Sequence, residues 1–145
     1  VFDTASGGIA QDSLVQFACD IDDMTGEELG AAVDRLRAME GVVDLLMLNG
    51  QGKKSRPVTR LEVLVQPQAA DWVAARVFDL TSTLGLRRTR VERLILPRES
   101  DDSGPLRRKR AQRPSGQVTT KVESDDLADA ETLHDRRRRA RAAEG

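Results

Sequence analysis

The feature that most constrains this chain is the order in which its apolar residues change period. Leu14 to Ile21 alternates, with Val15, Phe17, Cys19 and Ile21 on one side, as a half-buried strand does. Thr25-Gly26-Glu27-Glu28 then has the capping-box pattern, a hydroxyl and a glutamate each closing a free amide at a helix start. Leu29, Ala32, Val33 and Leu36 follow at helical spacing, and Gly41 suits a C-terminal cap. Val42 to Leu48 reads as a second strand and Arg60 to Gln66 as a third, with Leu61, Val63 and Val65 on one side. The glycine-rich, basic stretch Asn49 to Pro57 reads as the loop between them. Ala70 to Thr81 predicts a helix with Val73, Val77 and Leu80 on one face and Phe78 beside it, and Leu86 to Leu96 a fourth strand.

The resulting order is β-α-β-β-α-β. With right-handed crossovers it predicts an α+β, ferredoxin-like domain over residues 14–99. Residues 1–13, rich in Gly, Ser and Asp, read as a linker or arm. Residues 100–116 read as a charged linker, and 117–145 as a short strand plus a polar helix or disordered tail. Charge follows the same division. Residues 1–99 hold 12 Lys+Arg against 15 Asp+Glu, residues 100–145 hold 11 against 9, and large apolar residues are concentrated in the first stretch. The core is therefore expected there.

Topology brings three polar segments to one end of the sheet. If the first strand runs upward, the link from strand one to helix one, the hairpin after strand two and the turn before strand four all lie at the top. The first segment is Asp20-Ile21-Asp22-Asp23, whose carboxylates are hard oxygen ligands suited to magnesium or manganese when phosphates complete the shell. The same residues could simply favour the dipole of the following helix. The second is Gly50 to Pro57, where glycines permit close approach to an anion and Lys53, Lys54 and Arg56 supply charge. It is not a P-loop, because its glycine-to-lysine spacing differs and it joins strand to strand; a solvated basic hairpin is the plain alternative. The third is Thr81 to Arg87, whose hydroxyls, Gly85 and Arg87 suit phosphate or ribose, or an ordinary helix end. Anions, cations and hydroxyls at one end together describe a metal–nucleotide site.

Other signals point elsewhere or nowhere. The net charge of −1 gives no general attraction to nucleic acid or anionic membrane. Three Phe, one Trp and no Tyr leave little surface for base stacking. The arginine runs Arg107 to Arg110 and Arg136 to Arg139 are offset by nearby Asp101, Asp102, Asp125, Asp126 and Asp129, so nucleic acid is not the expected partner. No apolar run approaches a membrane span and residues 1–10 lack a signal pattern, so a soluble, cytoplasmic protein without a membrane partner is expected. Cys19 reads as a buried small hydrophobe and His134 as a solvated tail residue. No His/Cys cluster is present to hold a transition metal.

Three of these motifs carry a family resemblance. Asp20-Ile-Asp-Asp-Met-Thr-Gly-Glu-Glu-Leu-Gly30 resembles the IDDM…EELG signature of the LarC nickel insertion family. Lys53-Lys54-Ser55-Arg56-Pro57 is similar to its MKKGRP, and Thr81-Ser82-Thr83-Leu84-Gly85-Leu86-Arg87 to its TTTxGxR. The resemblance covers about residues 14–99, with Gly116 to Lys121 also alike. It departs at Gly52, Ser55 and Ser82, where Met, Gly and Thr are usual, and it lacks an acidic-aromatic segment between Asp125 and Asp135.

The resemblance implies the C-terminal portion of a CTP-dependent nickel chelatase, a lyase-class cyclometallase. Such an enzyme uses CTP with Mg or Mn to place nickel into pyridinium bisthiocarboxylate mononucleotide, making the nickel-pincer cofactor of lactate racemase. Carried over by motif, Asp22 and Asp23 become metal ligands. Lys53, Lys54 and Arg56 become triphosphate contacts, and Thr81, Thr83 and Arg87 nucleotide contacts. An N-terminal LarC portion is the implied partner, within a homo-oligomer. The alternative is a non-catalytic nucleotide-binding or assembly module of the same fold.

Overall fold

The computed structural model describes residues 3–4 and 8–144. Their elements in chain order are β1 (Asp3–Thr4), β2 (Ala10–Ile21), α1 (Gly26–Arg37), β3 (Val42–Gln51), β4 (Pro57–Val65), α2 (Ala70–Leu80), β5 (Arg87–Ile95), β6 (Arg98–Asp101), β7 (Arg108–Gln112), β8 (Val118–Val122) and α3 (Leu133–Glu144). The chain forms two compact units, Ser13–Arg93 and a second built from Val1–Asp12 with Leu94–Gly145. The arm expected over residues 1–13 includes positions 1, 2 and 5–7, which lie outside the described residues.

In the first unit β4 pairs antiparallel with both β2 and β3, and β5 pairs with β2. The long strands therefore lie in the order β5-β2-β4-β3. The two strands joined through α1 are split by β4, as the ferredoxin-like arrangement requires. Register carries the apolar alternation across the sheet. Phe17 faces Val63, which faces Leu45, and Cys19 faces Leu61, so one side is a continuous apolar surface. The helices cover it. Leu29, Ala32, Val33 and Leu36 of α1 and Ala70, Val73 and Val77 of α2 are buried in the same cluster or beside it. Each large buried side chain stabilises the fold by about 1.5–3 kcal/mol.

Local chemistry sets the ends of these elements. Thr25 Oγ1 accepts from the Glu28 amide at 3.1 Å while Glu28 Oε1 accepts from the Thr25 amide at 2.8 Å, which is the reciprocal cap read from sequence. These bonds hold the Glu28 carboxyl below its ordinary value. The structure ends α1 at Ala38 and puts Gly41 one turn later, at φ 92°. A Cβ there would meet Ala69 Cβ at 2.4 Å, and the Gly41 carbonyl accepts from the Gln66 amide at 2.8 Å. Gly41 thus lets the chain turn under the start of α2 rather than capping α1.

The second unit is built differently. β6, β7 and β8 form an antiparallel sheet in that order, and α3 packs against β8. Its described core is small, with Ala10, Val122 and Leu127 the buried apolar residues. Charged hydrogen bonds supply much of its order. Asp126 accepts from the Arg107 amide at 2.6 Å and from the Arg107 guanidinium at 2.8 Å, and Arg108 reaches Asp101 at 2.6 Å and the Ala143 carbonyl at 2.9 Å. Glu144 Oε1 accepts from the Val122 amide at 2.7 Å, closing α3 onto the outer edge of β8. Residues 100–116, expected as a linker, hold the end of β6 and all of β7, the central strand of this sheet. Apolar alternation is weak there because backbone pairing and arginine–carboxylate bonds take the place of a hydrophobic face.

Candidate functional site

β2 leaves the sheet beside two arginines. Asp20 stands opposite Arg60 in the β2–β4 ladder, and its carboxylate accepts from Arg60 Nε at 2.7 Å and from Nη2 at 3.1 Å. Arg87 Nη2, at the start of β5, lies 3.5 Å from the same carboxylate. The Arg60 hydrogen bonds are the main cause holding the Asp20 carboxyl below its ordinary value, with Arg87 adding to them. Arg60 and Asp20 both remain partly exposed, so this forked pair positions side chains more than it stabilises the fold.

The β3–β4 hairpin overhangs this corner. The strands pair further than the predicted loop boundaries, out to Gln51 opposite Pro57, because the backbone ladder continues past the apolar residues. The Gly52 amide donates to the Arg56 carbonyl at 2.8 Å and the Arg56 amide to the Lys53 carbonyl at 3.2 Å, closing a three-residue tip. Within the tip Lys54 and Ser55 take φ values of 57° and 58°. Left-handed backbone costs a non-glycine residue about 1–2 kcal/mol. Position 55 is where the resembled motif usually carries glycine, and its φ supplies the reason. Beneath the tip is a cleft of about 710 Å³ lined by Asp20, Asp22, Lys53, Lys54, Arg56 and Arg60 among others. Arg60 is committed to Asp20. Among the described residues the charged ends of Lys53, Lys54 and Arg56 make no hydrogen bond or ion pair, so the cleft carries uncompensated positive charge.

The α2–β5 turn meets the same corner from the other side. Ser82 Oγ hydrogen-bonds the Asp23 carboxylate, and the Ser82 amide points at Met24 Sδ, 3.4 Å away. Thr81 Oγ1 donates to the Val77 carbonyl at 2.8 Å, finishing α2, and Thr83 Oγ1 donates to the Gly85 carbonyl at 2.9 Å. Burial raises the Cys19 thiol pKa, and a hydrogen bond with Thr83 opposes that rise. Cys19 is a buried core residue, as its alternation implied.

The eight residues singled out from sequence therefore separate. Asp22, Lys53, Lys54 and Arg56 line one cleft. Arg87 reaches that cleft's wall through Asp20. Asp23, Thr81 and Thr83 hold the α2–β5 turn together and do not line the cleft. Adjacent carboxylates thus serve opposite neighbours, Asp22 the hairpin and Asp23 the turn. Among the described residues no three His, Cys, Asp or Glu side chains gather closely enough to hold a metal by themselves. An ion in this cleft would take most of its ligands from phosphate and water, with Asp22 as the protein oxygen, which is how magnesium is commonly held. Sequence reasoning missed Arg60. Its outward position between Thr59 and Leu61 was visible, but its pairing with Asp20 depends on strand register.

The profile of the nickel insertion protein family matches residues 1–137. The chain is 37% identical over 103 residues to a protein of Maridesulfovibrio salexigens named for nickel insertion, covering 71% of this chain and 22% of that one. It is 34% identical over 79 residues to the pyridinium-3,5-bisthiocarboxylic acid mononucleotide nickel insertion protein of Alkaliphilus metalliredigens, covering 54% and 18%. The apo structure of LarC2, the C-terminal domain of a cyclometallase in the synthesis of the NPN cofactor of lactate racemase, superposes with a TM-score of 0.80 at 28% identity, over 92% of this chain and 95% of that domain. The aligned stretches span about a fifth of those two curated relatives' own length. No described helix is long and apolar enough to cross a membrane. By profile, by sequence and by the arrangement of its backbone, this chain belongs to the nickel insertion protein family.

Proposed function

We propose that this chain is the nucleotide-binding portion of a nickel insertion system making the nickel-pincer cofactor. It would hold CTP with Mg or Mn in the hairpin cleft while nickel, the cargo, enters pyridinium bisthiocarboxylate mononucleotide. The observation that carries the reading is the cleft's charge pattern, with Lys53, Lys54 and Arg56 unpaired beside the carboxylate of Asp22. Three cations together with a divalent ion can offset the charge of a triphosphate, and Asp22 supplies an oxygen to that ion once it is bound to phosphate. Asp20 keeps Arg60 and Arg87 in place. Asp23 and Ser82 tie the turn carrying Thr81, Thr83 and Arg87 to the same corner. That turn would face the nucleoside rather than the phosphates.

The reading includes a chelatase role in the lyase class, an N-terminal LarC portion as partner, assembly as a homo-oligomer and a cytoplasmic setting. Calorimetry of CTP with Mn and with Mg tests its centre. Saturable heat with at least one metal is expected, weakened by about ten-fold or more in Lys53→Ala/Lys54→Ala. A flat trace with both metals overturns it.

A further inference from the structure

The second unit pairs several of its charges internally. Arg107 is held by Asp126, Arg108 by Asp101, Arg138 by Asp135 and Arg139 by Asp129. One face of its sheet gathers cations, most of which lack such a carboxylate. Arg108 and Val122 form a cross-strand row on the side of α3, since Val122 is buried and Arg108 bonds to Ala143. The neighbouring row, Lys109 opposite Lys121, must then point the other way. So must Arg98, which lies opposite Ala111, itself opposite Thr119.

Two lysines directly across a ladder repel one another. Glu123 relieves only one of them, at 3.0 Å from Lys109 Nζ. Arg113 bonds only to the Thr119 hydroxyl, at 3.1 Å, and among the described residues the charged ends of Arg98 and Lys121 have no partner. These four cations line a cleft of about 590 Å³ whose acids, among the described residues, are Glu123 and Glu144, and Glu144 is taken up by the Val122 amide.

We propose that this face binds a phosphate-bearing small anion, gripped by Arg98, Lys121 and Arg113 with the Thr119 hydroxyl alongside. Adjacent strands lie roughly 4.8 Å apart, so the long side chains of Arg98 on β6 and Lys121 on β8, which flank β7, can reach over it to the oxygens of one phosphate or diphosphate. The cleft is of nucleotide size, within the roughly 300–1,000 Å³ of small-molecule sites. Residues 94–145 contain no Phe, Tyr or Trp, so the site reads the phosphate and leaves any attached base unstacked. For the same reason a single nucleic-acid strand is not the favoured ligand. The proposal is independent of the hairpin cleft, which lies in the other unit.

Amide NMR shifts during titration with inorganic pyrophosphate, with a nucleoside monophosphate and with the bare nucleoside test it. Both phosphate probes should saturate shifts at residues 98–100, 109–113 and 119–124, and the nucleoside should leave them unmoved. Arg98→Ala/Lys121→Ala should weaken pyrophosphate about ten-fold or more with spectral dispersion retained. Lys121→Arg should keep binding, and Lys53→Ala/Lys54→Ala should leave these shifts intact. Shifts that never saturate, that persist in the double alanine variant or that the bare nucleoside reproduces overturn the proposal. Saturation by a short oligonucleotide but not by pyrophosphate also overturns it, in favour of nucleic acid.

Discussion

The two units of this chain are held by different forces. In Ser13–Arg93 two amphipathic helices cover an apolar sheet face, with Leu36, Leu61, Val63, Val65, Val73 and Val77 almost wholly excluded from solvent. In the unit containing Leu94–Gly145 few apolar side chains are buried, and arginine–carboxylate hydrogen bonds join strand to turn to helix. Burial is insensitive to salt, whereas partly exposed ion pairs are screened within a Debye length of about 8 Å at physiological ionic strength. The contrast teaches where each unit can carry a charged site. The first has a rigid frame that tolerates uncompensated cations at its hairpin. The second ties several arginines to carboxylates, while one face of its sheet gathers cations around a cleft.

Core truncation should break the comparison most sharply. Leu36→Ala should cost the first unit about 2–5 kcal/mol in urea unfolding, as large-to-small core changes do. A loss below about 1 kcal/mol would mean that the helix does not pack as described. Gly41→Ala comes next. Its φ of 92° and the 2.4 Å approach to Ala69 predict a loss of about 1–3 kcal/mol, read by the same unfolding curve.

Acid and salt should separate the units. Asp101 and Asp126 sit below their ordinary pKa, Asp101 chiefly through Ser103 and Asp126 chiefly through Arg107. A carboxyl depressed in the folded state stabilises above its unfolded value of about 3.9, and that contribution fades as pH falls through the lower folded value. Asp20 and Glu28 of the first unit are depressed too, but its buried core does not depend on them. Below about pH 4 the second unit should therefore lose amide-exchange protection before β2 and β4 do. Raised salt at neutral pH should act in the same direction, and equal loss in both units would remove the distinction. The smallest expected effect is Ser55→Gly at the hairpin tip. Relief of about 1–2 kcal/mol of left-handed strain, offset by about 0.5–1 kcal/mol of glycine chain entropy, should leave a stabilisation of about 0.5 kcal/mol in thermal melts.

Much of the first unit was legible because its residues obey simple periods. The buried positions of α1 are the four read from spacing, and the Thr25–Glu28 cap forms as its letters imply. Element order and right-handed crossovers also led to the expectation that three polar segments share one end. In the structure the first touches the third through Asp20–Arg87 and Asp23–Ser82, while of the eight residues only Asp22, Lys53, Lys54 and Arg56 line one cleft. β7 was not. Arg108–Gln112 has almost no apolar content, and its strand character comes from neighbours on both sides. The partition of Asp22 from Asp23 was equally hidden, because adjacent residues look alike until a hairpin lies on one side and Ser82 on the other.

Residue order alone decided the βαββαβ frame, its core face and the end where charge collects, because hydrophobic period and chain connectivity are local quantities. Folding in three dimensions decided that Arg60 and Arg87 converge on Asp20, that three cations under the hairpin stay unpaired, and that Lys109 opposes Lys121. Those depend on strand register and turn geometry, where a shift of one residue sends every side chain to the other face.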